Sequence, residues 1–124
     1  MGRRVVLVED EDPLRTILAR ALARRGHTVR AARTGAEARE LLAAELPDVV
    51  VIDINLPDET GWDVLRWLRG RDTPPPRIVV ITAAMPPRDR VAALQPEGVL
   101  PKPFPIDALL RFVEGPSVSD ADVR

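Results

Sequence analysis

Three short aliphatic runs constrain most strongly what this 124-residue chain can fold into. They occupy residues 5–8, 49–52 and 78–81, with the sequences VVLV, VVVI and IVVI. Runs rich in β-branched residues and without polar alternation are typical of strands covered on both faces, as in a parallel sheet. Residues 27–31 and 98–100 are weaker candidates for shorter or edge strands. The pattern therefore predicts a five-stranded parallel sheet.

Helical patterns lie between and after these strands. The first helix pattern starts at Asp12-Pro13, with Asp12 as its N-cap, and the second starts at a capping box from Thr34 to Glu37. The third starts at Thr60 or Gly61, the fourth at Pro87 and the fifth at Pro105. Glycines at 26, 70 and 115 end the first, third and fifth patterns. Regular alternation of strand and helix predicts an α/β fold, a doubly wound flavodoxin-like sandwich of three layers with right-handed crossovers. The common strand order of such a sheet is 2-1-3-4-5.

Composition narrows the class of protein. The length suits one domain, predicted over residues 3–115, with the small and acidic residues 116–124 forming a disordered tail or linker remnant. The absence of cysteine excludes disulfides, cysteine-ligated metals and a thiol nucleophile. A net charge of -1 argues against direct nucleic-acid binding. With neither a membrane span nor a signal peptide in the sequence, we predict a cytoplasmic protein.

Polar residues follow the predicted strands at their carboxyl ends. Glu9 and Asp10 follow the first strand, Asp53 ends the third, Thr82 ends the fourth, and the fifth leads into Lys102. In an open α/β sheet, ligands bind outside the carboxyl ends of the strands, where the strand order reverses. With the order 2-1-3-4-5, that point lies between the first and third strands. We therefore expect these five side chains to form one site.

The chemistry of this set points to phosphoryl transfer. Carboxylates gathered at one edge repel each other, and a buried Asp53 is costly unless something compensates its charge. Mg²⁺ would do so, because it prefers oxygen ligands and retains water, and the backbone carbonyl of Asn55 can complete the ligand set. Lys102 and Thr82 add an ammonium and a hydroxyl. Such a site stabilises a phosphoryl group in line with a carboxylate nucleophile, for which Asp53 is the candidate.

The same residues carry a family resemblance. Four motifs occur in order: Val6-Leu7-Val8-Glu9-Asp10-Glu11, Asp53-Ile54-Asn55-Leu56-Pro57 with Gly61, Ile81-Thr82-Ala83, and Lys102-Pro103-Phe104. Over about residues 3–114 the chain resembles the CheY-like receiver domain of two-component response regulators. The resemblance implies that Asp53 accepts a phosphoryl group from a sensor histidine kinase or a phosphotransfer protein. It implies the following site: Mg²⁺ held by Glu9, Asp10, Asp53 and the Asn55 carbonyl, a switch hydroxyl on Thr82, and Lys102 beside a cis bond to Pro103.

The resemblance also implies partners and limits. A downstream protein or a fused output domain would read the phosphorylated state, and phosphorylation can drive homodimerisation. The chain would not be an enzyme beyond its own phosphorylation from phosphodonors and its slow autodephosphorylation. Val99 stands three residues before Lys102, where most members carry a tyrosine or phenylalanine whose inward swing reports phosphorylation. The alternative is therefore an atypical receiver that acts as a constitutive adaptor, with weak or no phospho-switching.

Other classes fit the sequence less well. A haloacid-dehalogenase-type phosphatase expects its nucleophile on the first strand and an acid two residues later, whereas position 55 is asparagine and Asp53 is on the third. A flavodoxin-like electron carrier needs a phosphate-binding loop where this chain has acids. His27, the only histidine, and the tryptophans Trp62 and Trp67 are predicted to be structural.

Overall fold

The computed structural model describes residues 2–71 and 73–115, in which five strands and five helices alternate. The strands are β1 (Arg4–Val8), β2 (Thr28–Ala32), β3 (Val49–Asp53), β4 (Arg77–Thr82) and β5 (Gly98–Pro101). The helices are α1 (Asp12–Arg24), α2 (Gly35–Ala44), α3 (Gly61–Arg69), α4 (Arg88–Leu94) and α5 (Ile106–Glu114). All strand pairs are parallel and the order is β2-β1-β3-β4-β5, which confirms the predicted topology. The predicted tail, residues 116–124, lies outside the described residues.

The sheet separates two hydrophobic cores. Alternate side chains of β1, β3 and β4 enter opposite layers, since neighbouring residues of a strand point to opposite faces. One layer packs mainly against α2 and α3, and the other packs against α1 and α5. Both faces of the central strands are therefore buried, which explains why their sequences show no polar alternation. Among the described residues, no helix is long and apolar enough to cross a bilayer.

The helix starts follow the predicted signals with one exception. The Thr34 hydroxyl accepts a hydrogen bond from the N–H of Glu37 at 3.1 Å, and Thr60 caps α3 in the same way. The prediction that Asp12 is the N-cap of α1 is wrong, because Glu11 occupies that position. The N–H of Arg15 bonds to the Glu11 carbonyl at 2.9 Å, which places Asp12 in the first turn. There the Asp12 carboxylate pairs with the Arg15 guanidinium instead of the backbone.

The turn between β3 and α3 closes tightly behind Asp53. The N–H of Gly61 donates to the Ile54 carbonyl at 2.7 Å, and Asn55 pairs with Thr60 across the turn in an antiparallel bridge. A Cβ atom at position 61 would overlap the backbone oxygen of Asp53. Glycine is therefore required here by the close approach of two backbone segments.

His27 lies just before β2, at the amino ends of the strands and therefore at the opposite end of the sheet from the β3–α3 turn. Its Nδ1 accepts a hydrogen bond from the N–H of Arg3 at 2.9 Å, and its Nε2 lies 3.1 Å from the Glu114 carboxylate. Arg25 donates twice to the same carboxylate, at 3.0 and 2.7 Å. Burial opposes ionisation of Glu114, but these donors outweigh it and lower its pKa. The histidine thus joins the end of α5 to the amino edge of the sheet, a structural role as predicted.

We expect Gly61→Ala to reduce the free energy of unfolding by about 1 to 3 kcal/mol, because the added methyl group overpacks the turn against the Asp53 carbonyl. Urea-induced unfolding provides the measurement. Gly70→Ala is the matched control, since a methyl group at that position would lie 3.5 Å from its nearest neighbouring atom. That variant should gain up to about 1 kcal/mol. Equal stability of the two variants would contradict the proposed steric requirement.

Candidate functional site

The carboxyl edge of the sheet gathers the acidic residues that the sequence singles out. Glu9 and Asp10 follow β1, and Asp53 ends the neighbouring strand β3. One carboxylate oxygen from each of the three residues lies within 4.8 Å of the others. The helices that follow these two strands, α1 and α3, pack on opposite faces of the sheet. The cluster therefore lies in the crevice at the point where the strand order reverses.

Lys102 is the cation of this cluster. Its Nζ lies 2.6 Å from Asp53 Oδ2, 2.9 Å from Glu9 Oε1 and 3.2 Å from Glu11 Oε1. The backbone N–H of Lys102 donates to the Thr82 carbonyl at 2.7 Å, and the peptide bond to Pro103 is cis, as the resemblance implies. Burial lowers the pKa of Lys102, but its carboxylate partners outweigh burial and raise it above the ordinary value. The side chain is therefore a permanent cation.

Asp53 is held by one donor on each oxygen. Its Oδ1 accepts from the N–H of Asn55 at 2.9 Å, and its Oδ2 accepts from Lys102. The residue is 3% exposed, so its rotamer is fixed by these two partners and by the surrounding strands. The contact of Asn55 observed here is through its N–H, and the role predicted for its carbonyl stays a prediction.

Glu9 is the least satisfied carboxylate of the site. Its side chain is fully buried, and Oε2 accepts from the N–H of Glu11 at 3.1 Å. Oε1 is close enough to Lys102 for an ion pair, but among the described residues it has no partner aligned for a hydrogen bond. Burial raises the pKa of Glu9 to about 7, against the opposing effect of Lys102. Glu9 is thus a buried acid whose Oε1 atom is paired with Lys102 but lacks an aligned hydrogen bond.

This donor set fits a hard divalent cation. All three clustered groups are carboxylates, and proteins bind Mg²⁺ through such oxygens together with retained water. Glu9 and Asp53 are buried whereas Asp10 is exposed, so the cluster opens toward solvent on one side. A cation bound at this cluster would compensate the excess negative charge and could interact with Glu9 Oε1. The residues present therefore suit Mg²⁺, with Asp10 at the mouth.

Thr82 lies at the same edge but bonds within its own turn. Its hydroxyl donates to the Ala84 carbonyl at 2.7 Å and accepts from the N–H of Ala84 at 3.2 Å. These two bonds direct the hydroxyl toward the β4–α4 turn, and no hydrogen bond joins it to Asp53 or Lys102 in the described part of the chain. The switch role of Thr82 stays a prediction.

The sequence did not predict one contact within the site, that of Glu11. The contact of Glu11 with Lys102 is not among the predicted ones, although the place of Glu11 directly after the acidic pair is a signal that suggests it.

Trp62, in the first turn of α3, is buried in the hydrophobic layer between this helix and the sheet, and the Arg90 guanidinium lies 5.8 Å from its ring centroid. The packing role predicted for Trp62 is thereby confirmed.

Known sequences are similar to this chain. A family model, the response regulator receiver domain, matches residues 5–114. The chain is 40% identical over 114 residues to the response regulator MprA of Mycobacterium ulcerans, an alignment that covers 89% of this chain and 48% of the relative. The MprA of Mycobacterium tuberculosis is 38% identical over 112 residues with the same coverage. The chain thus spans about half the length of the curated relatives it matches.

Solved structures have the same fold as this chain. A response regulator from Chloroflexus aurantiacus superposes with a TM-score of 0.83 at 25% identity, covering 92% of this chain and 96% of that one. The non-phosphorylated HemR receiver domain from Leptospira biflexa gives 0.81 at 29% identity, covering 90% of both chains. The chain belongs to the response regulator receiver domain family, as its motifs predicted. It is a signalling domain of the two-component type, a class that is not composed of classical enzymes.

The raised pKa of Glu9 predicts how stability depends on pH without divalent cations. Its stabilising contribution is complete below pH 4.5 and is lost as pH rises toward 7, because the folded protein favours the protonated form. Glu9→Gln stays neutral, so its stability relative to the unsubstituted protein should rise across that window by up to about 3 kcal/mol.

Urea unfolding in a chelator, from about pH 5 to about pH 8, measures this difference. Groups distant from Glu9 titrate alike in both proteins and cancel in the comparison, so the pH-dependent difference belongs to Glu9 and to the groups that interact with it. A difference between the two proteins that does not change with pH would contradict the raised pKa.

Proposed function

We propose that this receiver domain accepts a phosphoryl group on Asp53 from the phosphohistidine of a sensor histidine kinase or a phosphotransfer protein. The observation that supports this most is the buried Asp53 carboxylate, which lies 2.6 Å from the Lys102 ammonium beside the Glu9 and Asp10 carboxylates. A carboxylate with a cation at one oxygen and an open acidic cluster beside it can receive and stabilise a phosphoryl group.

In the proposed step an Asp53 oxygen attacks phosphorus while the bond from phosphorus to the imidazole nitrogen breaks. The donor histidine leaves with the electron pair of that bond, and an aspartyl phosphate forms. Lys102 would then exchange its contact with Asp53 for a phosphoryl oxygen, keeping its positive charge. Glu9, Asp10, Asp53 and the Asn55 carbonyl would hold the proposed Mg²⁺, which would supply charge neutralisation for the phosphoryl group. The Thr82 hydroxyl would release the Ala84 carbonyl and donate its hydrogen bond to the phosphoryl group instead.

The proposed domain spans residues 3–115, and residues 116–124 would form a linker. Because the curated relatives are about twice as long as the matched region, we propose that a fused output domain or a separate downstream protein reads the phosphorylated state. Homodimerisation on phosphorylation and a cytoplasmic location belong to the same proposal. Direct nucleic-acid binding by this domain is not part of it, since the 124-residue chain as a whole has a net charge of -1 and therefore no cationic excess.

We expect a small phosphodonor such as acetyl phosphate, together with Mg²⁺, to add one phosphoryl group to the protein. Asp53→Asn should abolish the mass gain in intact-protein mass spectrometry, because the amide is not a comparable nucleophile. Asp107→Asn is the control, since that acid lies in the first turn of α5 and outside the cluster. Labelling that persists in Asp53→Asn would refute the assigned acceptor.

A second prediction concerns the shape of the cation at position 102. Lys102→Arg keeps the charge, but a planar guanidinium cannot contact three carboxylates arranged around one small ammonium. We expect the phosphorylation rate to fall by roughly tenfold or more. The control is the reverse exchange, Arg20→Lys, on the exposed face of α1. Rates at the unsubstituted level in both variants would show that the ammonium is not required.

A constitutive adaptor is the second candidate, and Val99 favours it. This residue packs partly buried against the layer of α2 and α3, where an aromatic ring would otherwise swing. The preceding helix, α4, has only seven residues and no side-chain cap. Both features weaken the segment that would transmit a switch.

The two candidates differ in their response to beryllofluoride, a mimic of the phosphoryl group. A switch predicts changed hydrogen exchange across residues 77–101 when Mg²⁺ and beryllofluoride bind, with Asp53→Asn unresponsive. Sedimentation of the same samples tests dimerisation. Stoichiometric binding without any change in exchange would favour the adaptor over the switch.

A further inference from the structure

Two carboxylates outside the acidic cluster fasten the β3–α3 turn to helix α2. Asp58 Oδ1 accepts from the N–H of Gly35 at 2.8 Å, and Oδ2 accepts from the N–H of Ala36 at 3.0 Å. Both donors belong to the first turn of α2, whose N–H groups have no partner within the helix. The bond from Gly35 is the main cause of the lowered pKa of Asp58. Asp58 is therefore an ionised cap on a helix to which it does not belong.

Glu59 makes the second attachment. Its carboxylate pairs with both sides of the Arg39 guanidinium, with Nε to Oε2 at 3.0 Å and Nη2 to Oε1 at 2.5 Å. Arg39 belongs to α2, and its guanidinium also lies 5.2 Å from the ring centroid of Trp67 in α3. A planar cation that is stacked on a ring and paired in its own plane is held in one orientation. The pair is therefore a rigid link between the turn and both helices.

The attachment is reinforced by a close approach. A Cβ atom at position 35 would overlap the Glu59 carboxylate, so the first residue of α2 makes room for the acidic side chain. The segment before α2 also reaches the other half of the site, since the Ala32 carbonyl accepts from the N–H of Glu9 at 3.0 Å. One stretch of chain, residues 32–39, thus contacts both the turn after β3 and the acid after β1.

The turn held in this way carries the groups on which the reaction depends. It begins directly after Asp53 and contains Asn55, whose N–H orients the Asp53 carboxylate. We propose, as an extension of the function proposed above, that Asp58 and Glu59 are positioning residues that hold this turn so that Asn55 and Asp53 present their oxygens to the cation. Neither acid reacts, because their carboxylates are engaged by α2.

The proposal predicts a loss of Mg²⁺ affinity that exceeds any effect of lowered stability. We expect Asp58→Ala to weaken binding about tenfold, as removal of an outer partner of a metal ligand typically does. Asp58→Asn should lie between Asp58→Ala and the unsubstituted protein, because the amide oxygen accepts while its NH₂ repels the second N–H. Glu59→Gln should also weaken binding. Calorimetric titration of the folded protein with Mg²⁺, well below the unfolding transition, measures these affinities.

Ala43→Gly provides a control of matched stability, since it weakens α2 at an exposed position away from the turn. Its Mg²⁺ affinity should equal that of the unsubstituted protein. Exchange of the Asn55 amide hydrogen in metal-free buffer gives a second readout, expected to be faster in Asp58→Ala but not in Ala43→Gly. Unchanged affinity and unchanged Asn55 exchange in Asp58→Ala and in Glu59→Gln would overturn the positioning role.

These measurements also separate this proposal from the proposed function. If the unsubstituted protein takes no phosphoryl group while Asp58→Ala still loses Mg²⁺ affinity and Asn55 protection, the phosphoacceptor function fails and the positioning role stands. If phosphorylation is normal in the unsubstituted protein, in Asp58→Ala and in Glu59→Gln, and if Mg²⁺ affinity and Asn55 exchange are unchanged in the two variants, the function stands and the positioning role fails.

Discussion

The contact of one ammonium with three carboxylates is the interaction on which the site depends. Glu9 and Asp53 are buried at the end of an apolar sheet, where like charges interact far more strongly than in water. Lys102 is the compensating cation, but one positive charge cannot neutralise this acidic group. The remaining negative charge makes the crevice suitable for a further cation. Burial, with a smaller effect of the neighbouring Asp53 carboxylate, raises the pKa of Glu9 to about 7.

The parallel sheet brings these charges to one edge. Asp53 is the last residue of β3 and is registered with Ile81, one residue before the end of β4. Each central strand has apolar neighbours on both faces, so the first polar residue after it necessarily appears at the edge. Because α1 and α3 leave toward opposite layers, that edge stays open between them. The aliphatic runs and the acidic crevice are therefore consequences of one architecture.

Sequence reasoning succeeded where this architecture decides the outcome. The alternation of strands and helices predicted a doubly wound sheet and, with it, the common strand order. The runs ending before Glu9 and at Asp53 then predicted the crevice and the acids that line it. It failed where a side chain chooses among local partners, as with Asp12, which pairs with Arg15 rather than capping α1. Strand spacing also gives no information on the rotamer of Thr82, whose hydroxyl bonds to Ala84. The contact of Glu11 with Lys102 was also missed, because the strand pattern places Glu11 beside the acidic pair but does not decide which acids the lysine reaches.

The two kinds of cation in this molecule show why a lysine stands at the centre. Lys102 is the single lysine in a chain with 18 lysine and arginine residues in total. Arg39 uses its planar fork to grip one carboxylate, that of Glu59, in a fixed plane. Lys102 instead places one small ammonium within 3.2 Å of three carboxylates that approach from different directions. A compact charge on a flexible stem suits contacts from several directions better than a planar fork does, so the observed geometry favours lysine over arginine at this position.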